Sequence, residues 1–177
     1  TSGNGAVESA REANRAVAAY VSTRVFNSTS PLMAEGLSLP ASAPKSRPRV
    51  YVASSFATLA QRWQTRLVTI ALEGLGGRAF SPSRDVGPLT EPEATAMADL
   101  EGLEQSDSIL VLADDAGAGP HFEAGWAHRD QIPTVVYSTA TVDDRYTMLR
   151  GTGATMVPDL PTAIYRSIWE AMANVDS

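Results

Sequence analysis

The chain has 177 residues, no cysteine and a net charge of −6, with 44% hydrophobic and 19% charged residues. This is enough for one globular domain with a real core. The acidic balance argues against a nucleic acid backbone as main partner, no apolar run reaches the length of a membrane span, and disulfides and thiolate zinc sites are absent. A small polar molecule or another protein remains open as a partner. The chain starts at Thr1 rather than Met, without a signal-like start, so a trimmed leader and an excised piece both stay open.

Residues 6–26 read as a helix, with Val7, Ala10, Val17, Val21 and Val25 at helical spacing. The Ser-, Pro- and Ala-rich stretch 27–49 reads as a linker or extended arm. Residues 1–48 are therefore set apart from a domain at 49–177. Val50–Ser54, "VYVAS", is a short β-branched run and predicts a buried strand. Leu59–Gly77 predicts a helix with Leu59, Trp63, Leu67, Ile70 and Leu75 inward. "RAFSP" predicts a second strand, followed by a polar loop up to Thr90. "TEPE" (Thr90–Glu93) has the form of a capping box, opening a helix to about Gln105 with Met97, Leu100 and Leu103 buried. Ser108–Ala113, "SILVLA", is the cleanest buried strand. A glycine-rich turn then leads into a helix at "AGPHFEAGWAH", Ala118–His128. Pro133–Ser138 and Thr155–Val157 predict two more strands, and "LPTAIYRSIWEAMANV" a closing helix.

Short apolar strands alternating with helices predict an α/β fold: a doubly wound, mostly parallel five-stranded sheet with helices on both faces, plus the N-terminal helix and linker. Ligands in such sheets bind beyond the carboxyl ends of the strands. That rule selects "ASSF", "SPSRD" and "DDAGAGPHFE".

Glu123 lies in the last of these, in what reads as the first turn of its helix, where the N-terminus favours the ionised form. An acid complementing a helix dipole is the plain account of it. Asp99 lies late in the preceding helix, off any simple surface stripe with Glu101 and Glu104. An aspartate near the sheet's carboxyl edge could meet Glu123 across the cleft. Two carboxylates in one pocket can divide the work of glycosidic bond cleavage, one at the anomeric carbon and one handling the leaving group's proton. Asp107 precedes a strand and reads as a cap. His121 and His128 lie seven apart with no carboxylate at metal spacing, so no metal or other cofactor is expected.

The order "VYVASSF", "ADLEGLEQSDSILVL", "GPHFEAGWA" resembles the nucleoside 2-deoxyribosyltransferase family and its relatives, the nucleoside 5'-monophosphate N-glycosidases, over residues 49–157. The resemblance implies Glu123 as the nucleophile toward C1', Asp99 as the residue exchanging a proton with the base, and Tyr51 as an aromatic touching the nucleophile and the sugar. Tyr at that position leans toward deoxyribose. Gly125 and Ala127 match small positions where the helix packs on the sheet. Six residues before the nucleophile the transferases tend to have Asp for the 5'-hydroxyl and the N-glycosidases Ser for a 5'-phosphate; this chain has Gly117.

Asp115 could supply a hydroxyl contact instead, or the amides around Gly117 and Gly119 could cradle a phosphate with Ser54, Ser55 and Arg62. His121 beside the nucleophile is a candidate pocket residue. Arg84 and Asp85 lie in the loop where relatives place base-recognising residues. Trp126 reads as a core or subunit contact. The resemblance also implies a homodimer or higher homo-oligomer in which Asp143–Gly151, through Tyr146 or Arg150, approaches the partner's site. The expected partner is a nucleoside or nucleotide, the expected location cytoplasmic, with hydrolysis preferred over transfer to a base because the 5'-hydroxyl aspartate is missing. A module that acts on or senses a larger nucleotide, such as a dinucleotide, is the alternative; a non-enzymatic nucleotide-binding domain is a third reading, opposed by Tyr51, Asp99 and Glu123.

Overall fold

The computed structural model describes residues 47–87, 91–114, 116–140 and 144–175. The helix and arm expected before Arg47 lie outside the described residues. Five strands, β1 (Arg49–Ala53), β2 (Arg78–Phe80), β3 (Ser108–Leu112), β4 (Thr134–Tyr137) and β5 (Thr155–Val157), form one all-parallel sheet in the order β2-β1-β3-β4-β5. Among the described residues six helices accompany it: α1 (Leu59–Gly74), α2 (Pro82–Asp85), α3 (Pro92–Glu104), α4 (Ala118–Arg129), α5 (Thr147–Gly151) and α6 (Leu160–Val175). A 3-10 turn at Asp144–Tyr146 precedes α5.

The central strands read as unbroken apolar runs because both faces are covered, as parallel sheets require. Alternate side chains of β1 and β3 supply two cores. Val50, Val52, Leu110 and Leu112 pack with Val68 and Leu72 of α1 and Ala163, Ile164 and Ile168 of α6. Tyr51, Ala53, Ile109 and Val111 pack with Leu103 of α3 and Ala124 and Ala127 of α4. The chain leaves β1 toward β2 on one side and returns to β3 on the other. The strand order therefore reverses between β1 and β3, and in sheets of this order ligands sit above that point.

Four local expectations are corrected. Leu59, Trp63, Leu67, Ile70 and Leu75 of α1 face outward; its buried residues are Thr65, Val68, Thr69 and Leu72. The threonines can be buried because their hydroxyls fold back onto helix carbonyls, Thr65 donating to Gln61 and Thr69 to Thr65. The N-cap of α3 is Glu91, without a side-chain cap bond, and Thr90 lies outside the described residues. Met97 is exposed, whereas Leu103 is fully buried. Part of the loop after β2 is helical, as α2, because Pro82 starts a turn that Asp85 closes by accepting the Ser81 amide at 2.7 Å.

Candidate active site

Tyr51 is the third residue of β1 and points to the α3/α4 side of the sheet, where it is fully buried. Burying a phenol requires a partner for its hydroxyl. Here the hydroxyl donates to Glu123 Oε1 at 2.7 Å. Burial is the main force raising the Tyr51 pKa, followed by the neighbouring Glu123 charge and this hydrogen bond. The hydroxyl therefore stays a donor.

Glu123 is the sixth residue of α4, whose N-cap is Gly117. It thus lies in the second turn, not the first, where the helix dipole has largely faded. Burial dominates instead. It pushes the carboxyl up to about 7, against the Tyr51 hydrogen bond, which lowers it, and with a smaller upward push from Asp99. The expectation that the helix end keeps this acid ionised is corrected: at neutral pH it is near half-protonation.

Asp99, on α3, is the second carboxyl of the pocket. It is half-buried, its Oδ1 is buried without a hydrogen-bond partner, and burial raises its pKa. Its charge acts on both Tyr51 and Glu123. The sheet and the two helices thus bring together the three residues Tyr51, Asp99 and Glu123. A pair of raised, coupled carboxyls is an arrangement suited to proton exchange.

Two residues that fix this geometry are not evident from the sequence alone. Phe80, register partner of Tyr51 on β2, stacks on its ring at 5.4 Å between centroids and 26° between planes. Gly102 of α3 lies directly against Phe80: a Cβ there would come within 2.3 Å of two ring carbons. Glycine inside a helix is unfavourable unless packing demands it, and that oddity in "DLEGLE" is the one signal by which the sequence could have shown it. Asp114, after β3, is the third missed residue. It accepts hydrogen bonds from the Ser138 hydroxyl and from the Thr139 amide and hydroxyl, tying the ends of β3 and β4 together.

The remaining sequence candidates divide. Ser55 accepts the Gly117 amide at 2.8 Å, so it holds the turn that starts α4. The His121 Nδ1 lies 2.9 Å from the Gly117 carbonyl, and its ring stacks near Tyr146 at 6.3 Å. Tyr146 is buried in its own chain and donates to the Ala113 carbonyl. Its side chain is therefore part of the second core rather than of the surface. Gly117 and Gly119 are both exposed; a Cβ on Gly117 would meet only the Ser55 hydroxyl, at 3.5 Å, and one on Gly119 nothing within 4 Å.

Ser54 faces the opposite core, its hydroxyl 2.7 Å from that of Thr65. Since Thr65 donates to Gln61, Ser54 is the donor. Arg62 donates to the Phe56 and Ala57 carbonyls and lines a separate cavity of about 460 Å³ with Arg66 and Arg84. Asp85 is spent on the Ser81 amide and Arg84. Ser54, Arg62 and Asp85 are thus not gathered at Glu123. Asp115 lies outside the described residues. Trp126 donates to Glu104 and carries Arg129 at 3.8 Å over its ring. Asp107 accepts the Arg49 amide. No group able to hold a metal ion occurs among the described residues, and none of their helices is long and apolar enough to cross a membrane.

The sequence matches no protein-family model and no curated protein. Solved structures do resemble it. A 2-deoxyribosyltransferase from Bacillus psychrosaccharolyticus shares 22% identity over 63% of this chain and 86% of its own, with a TM-score of 0.54. A 2-desoxiribosyltransferase from Leishmania mexicana shares 14% over 68% and 97%, with a TM-score of 0.56. A CMP N-glycosidase from Clostridium botulinum shares 13% over 67% and 96%, with a TM-score of 0.50. At these identities the likeness is one of fold, and the fold is that of the deoxyribosyltransferases and this N-glycosidase.

Proposed function

We propose that the protein cleaves the N-glycosidic bond of a nucleoside or nucleotide, with Glu123 as nucleophile. The observation that carries this is the Tyr51–Glu123 hydrogen bond, made beside the unpaired Asp99 oxygen at the strand-order reversal. The similar structures, two deoxyribosyltransferases and a CMP N-glycosidase, support the reaction class.

In this reading the ionised Glu123 attacks C1'. The C1'–N bond breaks, its electron pair goes to the base, and Asp99 delivers its proton there. Tyr51 holds the attacking oxygen in place and favours its ionised form. Water, or a second base, then attacks C1' of the glycosyl ester; Asp99 takes back a proton and Glu123 is released. Hydrolysis is the preferred outcome, because Gly117 offers no side chain for a 5'-hydroxyl.

A larger nucleotide, such as a dinucleotide, is the second reading. It is favoured by the open surroundings of Gly117 and Gly119 at the start of α4. The test is incubation with nucleosides, 5'-monophosphates and dinucleotides, following free base by chromatography. Base released without an acceptor supports hydrolysis, and base released only with a second base supports transfer. Release from dinucleotides alone supports the second reading. Glu123→Ala should abolish release by on the order of 10³-fold or more; undiminished activity in that variant would sink the nucleophile assignment.

A further inference from the structure

A cavity of about 460 Å³ opens between α1 and the end of β2, with Arg62, Arg66 and Glu73 on one side and Ser81, Ser83 and Arg84 on the other. Helix α1 packs on the core around Val50, Val52, Leu110 and Leu112, whereas Tyr51 and its partner Glu123 lie on the α3/α4 side. The cavity therefore flanks the face of the sheet opposite the carboxyl pair. Its volume falls within the roughly 300–1,000 Å³ of small-molecule sites.

The charge of its lining is uneven. Three arginines stand against one acid, in a chain of net charge −6. Arg84 is already committed: it pairs with Glu73 at 2.7 Å and Asp85 at 2.9 Å, and donates to the Ala79 carbonyl. Glu73 and Asp85 are thus matched to Arg84, and Arg62 and Arg66 are left without an acid. Arg62 is held by its Nη1, which donates to the Phe56 and Ala57 carbonyls at 2.8 and 3.2 Å. Its Nε and Nη2 have no acceptor among the described residues, and Arg66 has none there for any of its donors. Two cations one helical turn apart repel each other, and with Cβ atoms about 5–6 Å apart they span what one phosphate group can bridge. The opposite wall adds a donor. The Ser81 and Ser83 hydroxyls lie 3.2 Å apart, so one of their two protons is shared between them. The other has no acceptor among the described residues. Ser81 is buried and so fixed in place, and Ile70 gives the cavity an apolar side for the organic part of a ligand.

We propose that this cavity binds a phosphate monoester of a small molecule, with Arg62 and Arg66 on the phosphate oxygens and the serine pair donating a further hydrogen bond. The assignment is independent of the proposed reaction, since neither Tyr51, Asp99 nor Glu123 lines the cavity. Its test is isothermal titration calorimetry of the full chain with ribose 5-phosphate, AMP, inorganic phosphate and ribose. Ribose 5-phosphate should bind saturably, inorganic phosphate should compete with it, and ribose should do neither. Arg66→Gln, at an exposed position, should leave circular dichroism unchanged and weaken binding on the order of 10-fold or more, as for losing a hydrogen bond to a charged group. Glu123→Ala should retain the binding. In that variant, tighter binding of AMP than of ribose 5-phosphate assigns the site to nucleotides, and equal or weaker binding assigns it to sugar phosphates. No saturable binding of any phosphate probe, undiminished affinity in Arg66→Gln, or a loss in Glu123→Ala instead of in Arg66→Gln would each overturn the proposal.

Discussion

The Tyr51 hydroxyl donates to Glu123 at 2.7 Å and is the contact in the pocket that works against burial of that carboxyl. Removing it in Tyr51→Phe leaves burial unopposed, so the Glu123 pKa should rise above about 7. If the ionised carboxylate is the attacking form, the rise of kcat/KM with pH should shift to more alkaline pH. Carboxyl ¹³C titration of Glu123 should show the same direction, and an unmoved or acid-shifted titration would show that the hydrogen bond does not tune the acid.

The same group makes stability depend on pH. Glu123 titrates near 4.5 in an unfolded chain and about 7 in the fold. Between those values the folded state holds the extra proton, so stability falls as pH rises through the window. The loss is on the order of 3 kcal/mol when complete. Glu123→Gln keeps a partner for Tyr51 and removes this ionisation. Its melting temperature should match the wild type near pH 4.5 and exceed it at pH 8. Asp99, also raised by burial, leaves a residual slope of the same sign.

Asp114 should act in the opposite sense. Burial opposes its ionisation, but the hydrogen bonds from Ser138 and Thr139 outweigh that and lower its pKa. Its contribution is present above the unfolded value near 3.8 and is lost as pH falls through the folded one. Asp114→Ala leaves those donors without their acceptor and should cost about 1–3 kcal/mol at neutral pH, measured by urea unfolding. The cost should shrink in acid.

A methyl at position 102 tests the support behind Tyr51. In Gly102→Ala the Phe80 ring must give way, and Tyr51, stacked on it, loses its backing. Overpacking of this kind costs about 1–3 kcal/mol. Combined with Phe80→Leu, the cost should be well below the sum of the single changes. Additive effects would mean that the two residues do not share the strain.

Much of the sheet is legible in the sequence because parallel strands buried on both faces are written as continuous apolar runs. Glu123 is legible as a candidate too, since it falls in a stretch after a strand where such folds bind ligands, whereas Asp99, within α3, stands out only by lying off the surface stripe of Glu101 and Glu104. The face of α1 is not legible: a pattern reading sends leucine and tryptophan inward and threonine outward. Only the bonds that Thr65 and Thr69 make to their own helix reverse that preference. The state of Glu123 was hidden for a related reason. A helix end is visible in sequence, whereas burial by Tyr51 and the second core depends on segments far away. Ser54 and Ser55 show how fine the limit is: adjacent on an extended chain, they point to opposite faces, one to α1 and one to the α4 turn.

Tyr51 and Glu123 are 72 positions apart, and the crossover from β1 to β3 joins them. That loop must be closed before its long-range contacts repay the lost chain entropy. The helices can form locally at an earlier stage, yet none of them alone brings the hydroxyl to the carboxyl. A nascent or refolding chain therefore has no assembled pocket until its central strands have paired. The fold delays its chemistry to the moment when the core is already shut.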